Sequence, residues 1–265
     1  MGNSSFVMRR QYAIIDLLKR KSTLSIAELS ERFGVSEITI RRDVKRLEES
    51  GKVIRRYGSV RAVEHDDTSK YLHARDIQRK IAQSAAQLIK DNDIVFINSS
   101  STAIEAVEFI TASNVTVITN NGSALHKPHG SNVNLFLTGG SVHPHRHSLT
   151  GDSTMSFLSL VKAKKCILGC DGVSTEGGLT TNEFSEMQVN RMMLENAAKS
   201  IVTATSNKLG TTASFQYGSL DLVDMMVTDT RASNAQITAL KFGGIKKVIL
   251  ADADARDDLT SLIGF

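Results

Sequence analysis

Residues 35–43 read VSEITIRRD, and this stretch decides the fold of the first quarter of the chain. Ser36 can cap a helix that runs to about Ser50, and Gly51 can end it. At about 100° per residue, one face of this helix is apolar. The residues of that face are Ile40, Val44 and Leu47. We therefore predict an amphipathic helix whose apolar face packs against a small core.

The opposite face of this helix is basic, and a second helix precedes it. Ser25 and Glu28 have the spacing of a capping box, and Gly34 can supply a tight turn after that earlier helix. Two short helices joined by a glycine turn form a helix-turn-helix, here at residues 24–43, whose second helix fits the major groove of DNA. We expect contacts with DNA from Ser36, Ile38, Thr39, Arg41, Arg42, Lys45 and Arg46. A purely structural three-helix bundle with a charged surface is the alternative.

Two further segments complete this domain. Residues 8–20 have apolar positions at helical spacing, which predicts a first helix. Residues 52–61 read KVIRRYGSVR, and their alternation and turn are typical of a two-stranded wing. We expect the wing to place Arg55, Arg56 and Arg61 near phosphates or the minor groove. The sequence thus predicts a winged helix-turn-helix domain at residues 1–62.

The distribution of charge supports a partner that is a polyanion. The first 62 residues hold 14 Lys and Arg against 7 Asp and Glu, whereas the remaining 203 hold 18 against 21. All of the basic excess therefore lies in the predicted DNA-binding domain. No apolar stretch approaches the roughly 18 residues needed to cross a bilayer. We therefore expect no membrane partner. Because two cysteines, Cys166 and Cys170, are too few for a disulfide framework, we also expect a reducing cytoplasm.

The remainder of the chain has the pattern of an α/β domain. Residues 63–75 are polar without apolar periodicity and are predicted to be a linker, and residues 76–265 form the second domain. Helical segments, notably residues 101–110 and 184–199, separate several short apolar runs, as in a mostly parallel sheet. These predicted strands are Ile94–Ile97, Val115–Thr119, Leu135–Thr138, Cys166–Leu168, Ile201–Ala204, Met225–Thr228 and Val248–Ala251.

Polar and glycine residues follow four of the predicted strands. In open α/β sheets, ligands bind outside the carboxyl ends of the strands. Residues 99–102 open a helix, so their hydroxyls and the helix N–H groups could hold a phosphate, and the glycines would let the backbone approach a ligand closely. The strand-end residues are Asn98, Ser99, Ser100, Ser101, Thr102, Thr119, Asn120, Asn121, Gly139, Gly140, Asp171 and Gly172. We predict a small-molecule site there.

Because of these motifs, the chain resembles the DeoR family of bacterial transcriptional regulators over nearly its whole length. The Ser-x-x-Thr-Ile-Arg-Arg-Asp run at residues 36–43 looks like the signature of that family. The resemblance implies that the second domain has the fold of sugar-phosphate isomerases and binds a phosphorylated sugar or polyol. It also adds Glu186 and Lys208 to the expected effector-binding residues.

Five positions depart from the pattern of that family. The family favours Asp at Asn98, Gly at Ser100, a basic residue at His143, Lys at Asn190 and Asp at Thr205. Three of these changes remove a charge, and charged groups form stronger hydrogen bonds with phosphate than neutral ones do. The alternative is therefore a regulator of the same DNA-binding type that responds to a different signal, or to none.

An enzyme of the sugar-isomerase type is a competing interpretation. Proton transfer needs a carboxylate or a histidine poised over the sugar carbons, and the amide of Asn98 cannot act as a base. Asp171 and Glu186 are the remaining carboxylates at the expected site. We expect no catalytic residue and no cofactor.

A metal-responsive regulator is the third interpretation. Five of the seven histidines lie within 22 residues: His126, His129, His143, His145 and His147. Imidazole clusters bind zinc, nickel or copper, but alternate residues of one extended segment rarely close a tetrahedral site unaided. We expect a solvated, histidine-rich loop near the effector pocket and no metal site.

The sequence therefore predicts a DNA-binding regulator that represses a sugar or polyol utilisation operon and is relieved by a phosphorylated sugar. Its partners would be double-stranded operator DNA and that effector. Two-fold symmetric oligomers match repeated half-sites in operators, so we also expect a homo-oligomer, either a dimer or a tetramer.

Overall fold

The chain divides into two compact units, residues 1–75 and residues 76–265. The computed structural model describes residues 3–21, 23–49, 52–56, 59–62, 65–143 and 146–251. Among these residues, no helix is both long and apolar enough to cross a membrane.

The first unit contains three helices and a small antiparallel sheet. Its elements are α1 (Asn3–Lys21), β1 (Leu24–Ser25), α2 (Ile26–Phe33), α3 (Glu37–Glu49), β2 (Val53–Arg56) and β3 (Ser59–Ala62). Strand β3 pairs with both β1 and β2, so the predicted two-stranded wing gains a third, short strand. The predicted helix-turn-helix corresponds to α2 and α3.

Local side-chain chemistry fixes the turn between α2 and α3. The Oγ of Ser25 accepts the N–H of Glu28, and the Glu28 carboxylate accepts the N–H of Ser25, which completes the capping box. Gly34 ends α2 with φ of 61°, a left-handed conformation that favours glycine. The Oγ of Ser36 then accepts the N–H of Thr39 and starts α3.

A buried carboxylate joins α1 to α3 in this unit. The predicted apolar face of α3 is buried, and beside it Asp43 is only 2% exposed. The Nε of Arg10 donates to Asp43 at 2.6 Å, and the amide of Gln11 donates to its other oxygen at 3.2 Å. Because a buried charge is tolerated only when it is paired, Asp43 fixes the position of α1 against the predicted recognition helix.

We expect Asp43→Asn to lower the free energy of opening of α3 by about 1–3 kcal/mol, because it removes a charge-assisted hydrogen bond at a buried site. Hydrogen exchange of the α3 amides in the intact chain measures this change. Asp16→Asn is the matched control, since Asp16 pairs with Arg20 on the exposed surface of α1 and such pairs contribute little. Equal exchange rates in the two variants would contradict the role of Asp43.

The second unit is built around one parallel sheet. Helix α4 (His65–Ala86) begins in the first unit and continues into the second. The first half of the second unit then contains β4 (Ile94–Ile97), α5 (Ser101–Glu105), β5 (Val115–Thr119), β6 (Val133–Leu137), β7 (Ser141–Val142), β8 (Leu149–Thr150) and α6 (Asp152–Ser159). Its second half contains β9 (Lys165–Gly169), β10 (Gly172–Ser174), β11 (Gly178–Thr181), α7 (Phe184–Glu195), β12 (Ser200–Thr203), β13 (Phe215–Gly218), β14 (Met225–Asp229), α8 (Asn234–Phe242) and β15 (Lys247–Ala251).

The main sheet has seven strands in the order β15-β14-β12-β9-β4-β5-β6, and every pair is parallel. All seven correspond to predicted strands, and the largest difference in a boundary is two residues, at the start of β6. Apolar side chains cover both faces of the sheet, which explains why the strands are continuous apolar runs. The predicted α/β fold class is confirmed.

Three helical predictions need correction. The helix predicted at residues 184–199 is α7 and ends at Glu195. The proposed linker at residues 63–75 is helical from His65, because α4 starts there and continues to Ala86. The segment predicted as one helix at residues 101–110 is α5 followed by a 3₁₀ turn at Ala106–Phe109.

The two cysteines are core residues of this unit. Cys166 and Cys170 are buried and free, and burial raises the pKa of each thiol to about 12. A thiol with so high a pKa holds its proton at neutral pH and is a poor nucleophile.

The strand order creates a crevice at one place in the sheet. The chain enters the sheet at β4 and adds β5 and β6 on one side, then returns to β9 on the other side and continues outward. At such a reversal the connections leave the neighbouring strands in opposite directions, which opens a crevice outside their carboxyl ends. The ends of β4 and β9 therefore position the candidate ligand site.

Candidate nucleic-acid interface and ligand pocket

The outer face of α3 is polar, basic and accessible. Ile38 is 72% exposed, and the side chains of Arg42, Lys45 and Arg46 also face solvent. Ser36 and Thr39 lie at the start of the helix, where their hydroxyls are 3.0 Å apart. This face lies opposite the buried stripe, as a helix that docks into a groove requires.

The arginines of this surface differ in their partners. Arg41 pairs with Glu37 at 3.0 Å, and the Nε of Arg55 lies 3.1 Å from Glu48 of α3. Arg42, in contrast, has no hydrogen bond or ion pair with any residue that the structure describes. Arg56 ends β2, but its side chain lies outside the described part of the chain. Among the residues that the structure describes, the guanidinium groups of Arg42 and Arg46 in α3 are therefore available without breaking an internal pair, and Arg42 is the nearer of the two to the N-terminus of the helix.

A cavity of about 270 Å³ lies at the reversal between β4 and β9. Its walls are polar and come from both halves of the sheet. The lining residues are Asn98, Ser99, Ser100, Ser101, Arg146, Gly169, Cys170, Asp171, Thr181, Glu186, Asn190 and Lys208. A polar cavity of this size suits a small hydrophilic molecule.

Asn98 forms the base of this pocket. Its Nδ2 donates to the carbonyl of Gly169 and to the Oδ1 of Asn190, both at 3.0 Å. Its Oδ1 accepts the N–H of Gly169 at 2.9 Å and that of Ser100 at 3.3 Å. One buried amide thus ties the ends of β4 and β9 to each other and to α7.

The contact between Asn98 and Asn190 bears on two of the departures from the resembled family. Where that family has Asp and Lys, this chain has two amides that bond to each other. The loss of a carboxylate and the loss of an ammonium therefore cancel, and the net charge at the base is unchanged. Thr205, the third position with a lost charge, is not among the residues that line the cavity.

The serine loop after β4 is held by internal hydrogen bonds. The Oγ of Ser100 accepts the N–H groups of Thr102 and Ala103 at 3.3 Å, so two N–H groups expected to bind phosphate already have an acceptor. A Cβ on Gly169 would lie 1.9 Å from the Ser100 Oγ, so only glycine lets β9 approach this loop. Ser99 and Ser101 remain as the hydroxyls of the loop that can turn to a ligand.

Opposite the serine loop, one arginine meets three carboxylates. Arg146 lies within 3.3–3.4 Å of Asp171, Glu183 and Glu186. Burial lowers the pKa of Arg146, but the charges of Glu186 and Asp171 outweigh burial and raise it. Burial likewise raises the pKa of Asp171, but the N–H of Asn182 and the charge of Arg146 hold that pKa below its ordinary value. Both groups are therefore charged at neutral pH.

Lys208 supplies a second cation to the pocket. It lies in a 3₁₀ turn after β12, and its Nζ donates to the carbonyl of Cys170 at 2.6 Å. An ammonium has three donors, so this bond leaves two for a ligand.

Seven of the predicted strand-end residues do not line the cavity: Thr102, Thr119, Asn120, Asn121, Gly139, Gly140 and Gly172. Most have structural contacts instead. The amide of Asn121 donates to the carbonyl of Ser99 and so supports the serine loop from behind. Asn120 bonds to the backbone of β8, and its Oδ1 has no hydrogen-bond partner.

Backbone conformation and packing require glycine at three of the predicted positions. Gly139 and Gly140 have φ of 71° and 109°, which favour glycine. A Cβ on Gly140 would lie 2.5 Å from the carbonyl oxygen of Thr150, and one on Gly172 would lie 2.6 Å from that of Thr211.

Five residues that line the cavity were not among those expected from the sequence to bind the effector: Arg146, Gly169, Cys170, Thr181 and Asn190. Arg146 matters most because it carries charge. It lies between β7 and β8 within the histidine-rich segment, where no strand-end rule applies. The prediction that this segment lies near the pocket was the signal that could have found it.

Among the residues that the structure describes, no group of three or more His, Cys, Asp or Glu side chains could hold a metal ion. The Nδ1 of His143 accepts the N–H of Arg146 at 3.2 Å, so this ring helps to hold the Arg146 turn. His145 lies outside the described residues.

Comparisons with known proteins match both halves of the chain. Residues 10–66 match the model of the DeoR-like helix-turn-helix domain, and residues 74–230 match that of the DeoR C-terminal sensor domain. These matches confirm the resemblance inferred from the sequence.

Relatives are similar over most of their length. The HTH-type transcriptional repressor GlcR of Bacillus subtilis is 29% identical over 94% of this chain and 98% of its own. The glycerol-3-phosphate regulon repressor of Escherichia coli is 29% identical over 83% and 90%. Among solved structures, the sorbitol operon regulator SorC of Klebsiella pneumoniae is 12% identical over 91% of this chain and 95% of its own, with a TM-score of 0.35.

The amide pair of Asn98 and Asn190 can be tested by restoring the two residue types that the resembled family favours. We expect Asn98→Asp to lower the free energy of unfolding by about 2–3 kcal/mol, because a buried carboxylate would face the acceptors of Gly169 and Asn190. The double variant Asn98→Asp/Asn190→Lys should recover at least half of that loss, since the new ammonium pairs with the new carboxylate.

Urea unfolding of both single variants and the double variant gives the coupling energy. Losses that simply add would show that the two positions do not act as a pair.

Proposed function

Because this chain belongs to the DeoR family of DNA-binding transcriptional regulators, we propose that it represses a sugar or polyol utilisation operon and is released from its operator by a phosphorylated sugar. The observation that carries the proposal is the polar, cation-lined cavity at the reversal between β4 and β9. The relative from Escherichia coli is named for a glycerol-3-phosphate regulon, and this name supports the effector class.

Helix α3 recognises the operator. Its N-terminal residues and Arg42 read base edges in the major groove, and Lys45 and Arg46 contact phosphates. Arg55 contacts the DNA backbone from the wing. To do so it gives up its ion pair with Glu48, whose carboxylate lies 3.1 Å from the Nε of Arg55. The basic excess of the first 62 residues supports this assignment.

The phosphate group of the effector binds to the cations and hydroxyl groups of the cavity. The hydroxyl groups of the sugar or polyol donate hydrogen bonds to Asp171 and Glu186. We expect no turnover, because the residue at the base of the pocket is an amide that cannot abstract a proton, and the carboxylates of Asp171 and Glu186 are paired with Arg146. Binding weakens the grip on DNA when the ligand favours the conformation that fits the operator poorly. We propose further that the regulator acts as a dimer or tetramer on repeated half-sites.

The experiment that tests this function has two steps. Operator sequences are first selected from a random DNA library with the purified full-length chain. Fluorescence anisotropy then measures operator affinity with and without glycerol 3-phosphate, ribose 5-phosphate and glucose 6-phosphate, with glycerol, ribose and glucose as controls. Release by a phosphate ester and not by its free sugar supports the proposal. Release by none of the esters contradicts the effector class.

We expect Arg42→Ala to weaken operator binding by about 1–3 kcal/mol, the range for a good base contact. Lys241→Ala is the matched control, since it removes the same charge from an exposed position in α8 of the second unit. Equal operator affinities for the two variants in the anisotropy titration would remove Arg42 from the interface.

We expect Lys208→Met to reduce or abolish thermal stabilisation by the effector, because the ammonium is lost while most of the aliphatic stem is kept. In the unsubstituted chain, a ligand at a hundredfold excess over its Kd stabilises the folded state by about 2.7 kcal/mol. The measurement is a thermal-shift titration with the phosphate ester that releases the operator. A full shift in the variant would place the phosphate away from Lys208.

A further inference from the structure

The cation most suited to exchange partners in the pocket is Arg146. On the basis of the proposed function, we infer that Arg146 recognises the effector phosphate, and that Glu183 competes with the ligand for this guanidinium and so sets the ligand affinity. Glu183 is not among the residues that line the cavity, whereas Arg146 is. The ligand class that follows is a phosphate ester with free hydroxyl groups.

The contacts of Arg146 are numerous but long. Its nitrogens lie 3.3–3.4 Å from oxygens of Asp171 and 3.4 Å from oxygens of Glu183 and Glu186. Charge-assisted hydrogen bonds between N–H and carboxylate groups are usually 2.7–2.9 Å long. The guanidinium is therefore surrounded by negative charge without a short bond to any of the three carboxylates. A phosphate can accept two parallel bonds from the same guanidinium.

Two of the three carboxylates can give up Arg146 without being left unpaired. Asp171 accepts the N–H of Asn182 at 2.8 Å and the hydroxyl of Thr181 at 3.3 Å. The Glu183 side chain is 33% exposed, so water can solvate it. Exchange of Arg146 to a ligand therefore leaves both groups with partners.

Glu186 is the exception, and it defines what else the ligand must carry. Its side chain is 4% exposed, and its Oε1 accepts no hydrogen bond from any residue in the described part of the chain, while the Nε of Arg146 lies 3.4 Å away. If Arg146 turns to a phosphate, this buried oxygen needs a donor from the ligand, because an unsatisfied buried acceptor is costly. A hydroxyl supplies that donor. Inorganic phosphate, which has no such hydroxyl chain, should therefore bind more weakly than a polyol or sugar phosphate.

Glu183 does not line the cavity, so we infer that it acts on the ligand through Arg146; its carboxylate also lies 3.9 Å from the Nε2 of His143. It lies at the N-terminus of α7, where its backbone N–H donates to Thr181. Its carboxylate attracts the guanidinium of Arg146, whose Nη1 lies 3.4 Å away, and so competes with a ligand for it. A neutral side chain of the same shape removes this attraction, so Glu183→Gln should make Arg146 more available. A merely structural role of Glu183 predicts the opposite, namely weaker binding.

Isothermal titration calorimetry of the full-length chain tests the inference. The probes are inorganic phosphate, glycerol 3-phosphate, ribose 5-phosphate and glucose 6-phosphate. For the tightest ester, we expect Arg146→Gln to weaken binding by about 10- to 100-fold. Glu183→Gln should tighten it by about 3- to 10-fold. The ester should also bind at least tenfold more tightly than inorganic phosphate.

Two control variants separate the exchange from a general effect of charge. Glu195→Gln removes the same charge from the exposed end of α7, and Lys241→Gln removes a cation from α8. Both should stay within about twofold of the unsubstituted chain, because neither contacts Arg146. In the background of Arg146→Gln, the gain from Glu183→Gln should disappear, since the two side chains act on one ligand group.

The outcomes distinguish this inference from the proposed function. Binding of an ester that is insensitive to Arg146→Gln, or a gain from Glu183→Gln that persists in the double variant, overturns the role of Arg146 and leaves the effector class standing. Weaker binding in Glu183→Gln overturns the competition. If no ester binds to either the unsubstituted chain or Glu183→Gln, the effector class fails and the inference fails with it.

Discussion

The second unit depends on the side chain of Asn98. Its amide exchanges two hydrogen bonds with the backbone of Gly169 and a third with Asn190. Where a parallel sheet reverses its direction of growth, the loops leave the two central strands in opposite directions beyond their last paired residues, here Ile97 and Ile167. Asn98 adds side-chain hydrogen bonds between these strand ends, and the pocket above it keeps a fixed base. Gly169 completes the arrangement, since any side chain there would collide with the serine loop.

The fold could be predicted largely because its signals are local. Buried parallel strands are short apolar runs, and the capping box of α2 needs only Ser25 and Glu28. The N-terminal part of α4 was missed because polar residues without periodicity carry no such signal. A helix can nonetheless extend through a polar segment when its other end is anchored, as α4 is by the buried Ile77 and Ile81.

The site was less predictable because a pocket gathers residues that are distant in sequence. The strand-end rule brought Asn98, Asp171 and the serine loop into the cavity. It failed for Asn121 and Gly140, whose residue types fit a ligand but whose contacts are structural. It also missed Arg146, because that side chain enters from the β7–β8 connection. Glycine and amide residues at strand ends can therefore serve either the local backbone structure or a ligand, and only the tertiary contacts decide which.

The distribution of charge in the pocket gives the site its character. At the base, the amides of Asn98 and Asn190 bond to each other, so no ionic interaction there depends on the ligand. At the rim, one guanidinium is shared among three carboxylates. The affinity for an anionic ligand then depends on the difference in free energy between two sets of ion pairs, those within the protein and those with the ligand. Small changes in the internal set can therefore tune the response, while the amide base maintains the fold.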